Sequence, residues 1–359
     1  MPANIEKLAL FGAFALLVGS CDDGGPPIST LPTGPEIMRD AVEHTIVPDI
    51  VAFDEEAQEM LADVETFCAS PSAAGLETLQ MRWRALSEAW NAVAGYDFGP
   101  LDDDVITPRI IYIESMRQRG TDYTQTVRDA IAAGIASTES LDAAFFEAKT
   151  FDEVGMLALE VLVFEDSREG YSTAAADVLA DFEAEPRKCA YLQGMAGRLA
   201  SDADTVEQGW TQGFGSGGEP FGETMAGDML EDGTEPVAAL LIALQQHIDY
   251  IQTRKLQGIL DAQLSGNFYP NVLAFLEAFD ELFTQPDEDS YGFFDRMEAT
   301  GNGAEVELVR TNLEAAKAAA RSEDREALEA AMGLLDGNLK REIPDALGVV
   351  LGLTFTDGD

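Results

Sequence analysis

The chain has 359 residues, 46% of them hydrophobic, with 66 Asp and Glu against 22 Lys and Arg for a formal charge of −44. That length is comfortable for two hydrophobic cores, and the apolar fraction is that of a globular protein. The charge excludes nucleic acid as a partner and repels an anionic membrane face, whereas it suits cationic partners, metal ions or a solvated surface in a salty medium.

In chain order, Lys7 precedes an apolar run from Leu8 to Val18, too short for a usual spanning helix, which ends in Val18-Gly19-Ser20-Cys21. Small residues before a cysteine form a bacterial lipobox. Residues 1–20 are therefore expected to be a lipoprotein signal peptide, Cys21 the lipidation site, and 21–34 a flexible tether containing Asp22-Asp23-Gly24-Gly25-Pro26-Pro27. The expected location is the cell envelope, on the periplasmic side, with the lipid anchor as the sole membrane contact.

Pro35 opens the first helix, whose apolar positions run through Ile37, Val42 and Ile46 to Phe53, with a kink expected at Pro48. The pattern continues over 55–67 to Cys68. Leu76, Leu79, Trp83, Leu86, Trp90 and Val93 alternate three and four apart, an amphipathic helix whose two tryptophans read as bundle core. Residues 95–119 break the pattern with Phe98-Gly99-Pro100, Asp102-Asp103-Asp104 and Pro108-Arg109-Ile110-Ile111-Tyr112; an irregular stretch of this length in a compact domain is usually functional. Helices follow over 122–135 and 138–148.

The stretch from Gly155 to Phe164 is almost wholly apolar and carries one carboxylate, Glu160, one turn from Leu157. An ionised carboxylate in such a helix costs several kcal/mol, on the order of the price of any buried unpaired charge, so Glu160 is paired, protonated or set on a polar cleft. Beyond it lie a helix over 172–183 and, from Pro186, a stripe of Cys189, Leu192, Ala196, Leu199, Ala203, Val206 and Trp210. A Gly-rich linker over 213–234 separates this half from a second set of helices that begins at Pro236 and runs through Leu240, Leu241, Leu244, Ile248 and Ile251 to Lys255, read as a solvated cap. Further helices span 269–284, 291–298, 304–320 and 324–335. Strand signals are nearly absent. The expected fold is all-α, with an N-terminal helical bundle over 35–212 and a C-terminal one over 235–359, each around a four-helix bundle.

Cys68 and Cys189 lie on separate apolar faces. They form one disulfide or stay as buried thiols, and an exported chain favours the disulfide. His44 and His247 are the only histidines, and no His-Glu-x-x-His pair or Gly-x-Ser-x-Gly elbow exists. Each histidine sits near the apolar stripe of the first helix of its bundle, where the pair could flank a cleft between bundles.

Several stretches together resemble the imelysin family of bacterial envelope proteins: Val47-Pro48, Phe67-Cys68, Phe98-Gly99-Pro100, Arg109-Ile110-Ile111-Tyr112, Gly155-Met156-Leu157-Ala158-Leu159-Glu160, Cys189-Ala190-Tyr191-Leu192 and the terminal Leu351-Gly352-Leu353-Thr354-Phe355-Thr356-Asp357-Gly358-Asp359. The resemblance implies two four-helix-bundle domains with a site where they meet, and a link to iron uptake; some members are described as metallopeptidases. At the family's Gly-x-His-x-x-Glu signature this chain has Leu157 in the histidine position and Glu160 in the acidic one, and leucine cannot ligate a metal. The expected function is a non-enzymatic binding protein tied to iron or metal acquisition, taking a small ligand or metal complex, with iron or zinc as the metals to consider. Its cleft would contain Glu160, also the one expected metal ligand, with Arg109 as ion-pair partner or anion anchor and Tyr112, His44 and His247 nearby; no catalytic residue is assigned. The alternatives are a metallopeptidase and a structural lipoprotein that docks a cationic protein.

Overall fold

A computed structural model of the protein describes residues 31–168, 170–285 and 290–351. The expected signal peptide, Cys21, most of the tether and residues 352–359 lie outside the described residues. Within them the chain is all-α, with no strand.

Helix α1 (Gly34–Ala41) starts at Pro35 and a Thr33–Glu36 capping box, and a π-helical turn, Val42–Ile46, joins it to α2 (Val47–Ala69). The irregularity expected at Pro48 takes this form. Proline lacks an N–H and its ring crowds the carbonyl four residues back; the widened turn, closed by Val47 N–H on the Val42 carbonyl, gives the ring room. Ser72 caps α3 (Ala73–Val93) by accepting from Gly75 N–H at 3.1 Å. The irregular segment after it contains 3₁₀ turns at Gly99–Leu101 and Ser115–Arg117 around the one-turn α4 (Arg109–Ile113). Then come α5 (Thr124–Ala136), α6 (Ala143–Glu147), α7 (Gly155–Phe164), α8 (Ala175–Ala184) and α9 (Pro186–Thr211).

Cys68, near the end of α2, and Cys189, in the first turn of α9, form a disulfide with Cα atoms 5.5 Å apart, closing a separation of 121 residues. In the chain-entropy model a loop of that size is worth about 4–5 kcal/mol. The Gly-rich stretch holds α10 (Phe221–Met225), whose Phe221 packs edge-on against Trp210 at 5.0 Å. The second half is α11 (Pro236–Tyr250), continued by a π-helical turn at Ile251–Leu256, then α12 (Phe268–Thr284), α13 (Phe293–Ala299), α14 (Gly303–Arg321), α15 (Arg325–Lys340) and α16 (Glu342–Leu347).

Helices α2, α3, α7 and α9 pack as a ring of four, each touching its two neighbours, with α5, α6 and α8 laid on the outside. In the other half α12, α14, α15 and α11 pack in succession. Helix α3 belongs to both sets: it also runs along α12. Gly95, just beyond α3, permits this approach, since a Cβ there would stand 3.0 Å from Phe275 and 3.1 Å from Leu244. The apolar stripes merge into one continuous buried cluster from Ile37 to Ile343.

Candidate functional site: a carboxylate-floored cleft between the helix sets

The cleft is built by a close approach that only glycine allows. Gly155 opens α7 with φ +82°, and a Cβ there would lie 2.3 Å from the Tyr112 carbonyl oxygen and 2.5 Å from that of Ile113. With no side chain in the way, the end of α4 lies against the start of α7. Ser115 and Glu114 thereby share a cavity of about 310 Å³ with Met156, Leu157 and Glu160. Trp83, Ser87, Trp90 and Asn91 of α3 form a second wall, the start of α5 a third, and Ile259 to Leu264, between α11 and α12, a fourth.

Glu160 is 2% exposed. Its Oε1 accepts hydrogen bonds from the Ser265 backbone N–H at 2.9 Å and the Ser265 hydroxyl at 2.8 Å. Arg84 of α3 in turn donates to the Ser265 carbonyl at 3.1 and 3.2 Å, so Ser265 ties α3, α7 and the entry to α12 together. Burial pushes the Glu160 carboxyl up to about 7, more than the Ser265 bonds pull it down, and Asp261 nearby adds to the rise.

Behind the cleft lies a buried ionic network. Lys255, 1% exposed, reaches Glu114 Oε1 and Asp261 Oδ2, both at 2.7 Å. Glu114 also accepts from Tyr250 Oη at 2.9 Å, Trp90 Nε1 at 3.0 Å and Arg117 Nε at 3.3 Å. Burial alone would raise the Glu114 carboxyl, but the Lys255 ammonium and the Arg117 guanidinium hold it below the usual carboxylate range. Asp261 is raised by its burial despite Lys255. Its Oδ1 and the Ser115 hydroxyl are buried without a hydrogen-bond partner. The reading of Lys255 as a solvated cap is thus corrected. The π-helical turn carries it inward, and its position four residues after Ile251 continues the apolar stripe, which was the available signal.

The structure separates the other expected site residues. Arg109 does not meet Glu160: it pairs with Asp103 at 2.7 Å and Asp202 at 2.6 Å, because the acidic loop before α4 folds back onto α9. Arg109 and Tyr112 line a different, shallower depression with Asp103, Asp104 and Arg198, and Arg198 stacks 5.2 Å from the Tyr112 ring. His247 is buried in the ionic network, where its Nδ1 accepts from Arg117 at 2.6 Å; burial, Arg117 and Lys255 hold it well below the ordinary histidine range, so it is neutral. His44 is exposed on the π-helical turn between α1 and α2. Neither histidine lines the cleft. Trp83 and Trp90 serve both as core and as cleft wall. Sequence reasoning missed Glu114, Ser115, Asp261 and Ser265; only Glu114 leaves a trace, as the carboxylate that closes the apolar run 110–113.

The donor set does not fit a bound metal. Leu157 offers no ligand atom, Lys255 lies between Glu114 and Asp261, and among the described residues the carboxylates of Glu114, Glu160 and Asp261 do not bring three ligand atoms within 4.8 Å of one another. Among the described residues, the group of three His, Cys, Asp or Glu side chains with ligand atoms all within 4.8 Å of one another is Asp54, Asp204 and Glu207, none of which lines this cleft.

Two sets of packed helices with a cleft between them make this an all-α protein of imelysin-like fold. The chain belongs to the imelysin family: the family described as Peptidase M75, Imelysin, matches it over residues 46–346. It is similar in fold to an imelysin-like protein from Psychrobacter arcticum 273-4, with 16% identity, a TM-score of 0.69 and coverage of 90% of this chain and 99% of that one. It is also similar to a chain from Parabacteroides distasonis ATCC 8503 described as an iron-regulated protein A precursor, with 14% identity, a TM-score of 0.59 and coverage of 87% and 94%. No curated protein matches the sequence significantly.

Proposed function

We propose that this imelysin-family protein is a non-catalytic binding protein of the cell envelope that serves iron acquisition, and that its ligand is a small molecule or iron complex held in the Glu160 cleft. The observation that carries the reading is the pairing of a ligand-sized cavity, about 310 Å³, with a buried glutamate that forms no ion pair with a Lys or Arg among the described residues. The link to iron draws on the similarity to the protein described as iron-regulated. The disulfide supports an exported, oxidised location, and the acidic composition supports a cationic or metal-containing cargo. Lipid anchoring through Cys21 is part of the same proposal.

Leu157 argues against the peptidase reading. A metallopeptidase needs a metal with an open position for water, and this cleft lacks the donors to hold one. The test is a thermal-shift panel of ferric citrate, haem, Fe²⁺ and Zn²⁺, run beside a casein-cleavage assay with and without chelator. A rise in Tm with a chelated form of iron, lost in Glu160→Gln, is expected. Chelator-sensitive cleavage that disappears in Glu160→Gln would overturn the proposal.

A further inference from the structure

Resting on the reading of the Glu160 cleft as a binding site, the geometry points to the chemistry of its occupant: we propose that the ligand enters with a protonated nitrogen group, an alkylammonium or guanidinium carrying at least two N–H donors. The indole and cationic donors around the cleft are already engaged. Trp83 Nε1 donates to the Met156 carbonyl at 3.2 Å and Trp90 Nε1 to Glu114 at 3.0 Å, so both indoles offer a ligand only ring surface. Arg128, at the rim, is committed to both oxygens of Glu165, at 2.8 and 2.5 Å. Lys255 is committed to Glu114 and Asp261. What remains for a guest is acceptor capacity on Glu160, with the unpartnered Asp261 Oδ1 and Ser115 hydroxyl buried just behind the cleft wall.

The cations nearest the cleft are taken: Lys255 pairs with Glu114 and Asp261, Arg117 with Glu114, and Arg128 with Glu165. Glu160 forms no ion pair among the described residues. An ammonium or guanidinium beside it would supply the missing partner and donate to its free acceptor positions. An organic cation also gains from the Trp83 and Trp90 rings and from the apolar wall of Met156, Leu157, Leu260 and Leu264. The ligand is therefore an amphipathic amine or guanidine, or an iron complex whose carrier presents such a group.

The experiment compares three isosteric probes, 4-phenylbutylamine, 4-phenylbutan-1-ol and 4-phenylbutyrate, by calorimetry and tryptophan fluorescence at pH 8 on the mature chain. The amine is expected to bind at least tenfold more tightly than the alcohol, and the butyrate not to bind. Glu160→Gln, which keeps an acceptor for Ser265, should bring the amine down to the level of the alcohol. Leu157→Lys places an ammonium one turn from Glu160; it should block the amine while leaving the chain folded by circular dichroism. Equal affinity for amine and alcohol, or amine binding unchanged in both variants, would overturn the proposal. If ferric citrate binds in a Glu160-dependent manner and the amine does not, the cation proposal fails and the binding reading stands. If no probe and no iron complex binds, both fail.

Discussion

Glu160 pays for its position in proton affinity. Its carboxyl rises from 4.5 in an unstructured chain to about 7 in the fold. Between those values the unfolded chain has released its proton and the folded chain still holds one, so stability falls as pH rises through that window and stays low above it. At about 1.4 kcal/mol for each tenfold change in proton affinity, the ceiling is roughly 3 kcal/mol. Glu160→Gln should therefore raise Tm clearly at pH 8 and hardly at pH 4.5; an equal effect at both would contradict a buried, unpaired carboxyl. Lys255 is the opposite case. Its ammonium serves two buried acids, and Lys255→Met would leave Asp261 without a cation and Glu114 with Arg117 alone. A loss of about 3–5 kcal/mol in urea unfolding is expected at pH 7, with a smaller loss in acid, since burial favours the protonated form of Asp261.

The element that sets the cleft is the α4–α7 contact. Gly155→Ala must either move two backbone carbonyls or tilt α7, and its positive φ already disfavours alanine. A destabilisation of about 1–3 kcal/mol or more is expected, measured as a lower urea midpoint at unchanged m-value, together with weakened ligand binding. The helices themselves were legible in sequence: the three-four stripe of Trp83 and Trp90, the one from Cys189 to Trp210 and the segment 304–320 all appear as helices with nearly those ends, and the helix expected over 324–335 runs on to Lys340. The helix expected over 138–148 shrinks to the five residues of α6, because Phe146 must reach the core over Gly194, where a Cβ would lie 1.9 Å from its ring.

At the scale of the whole molecule the charge dominates. A chain carrying −44 repels itself, since even with every Lys and Arg paired the 44 surplus carboxylates remain. Raising NaCl from 0.05 to about 0.5 M shortens the screening length severalfold and should raise Tm by several degrees. A Tm that falls with salt would mean that the ion pairs outweigh the repulsion.

The sequence by itself determined the all-α class and singled out Glu160 as a lone carboxylate in an apolar helix, because apolar periodicity and an isolated charge are local signals; it left Cys68 and Cys189 as a disulfide or two thiols, and the fold joins them. The partners of Glu160 were decided by tertiary structure. Ser265 stands 105 residues away and Asp261 almost as far, in an irregular segment whose side chains follow no period. Arg109, expected beside Glu160, was captured by Asp103 and Asp202, since in so acidic a chain several carboxylates compete for each guanidinium and proximity in the fold selects the winner. The apolar run of α7 marked Glu160 as a carboxylate in need of a partner, and the packing of α3, α4 and the 259–265 segment around it decided that it lines a cleft.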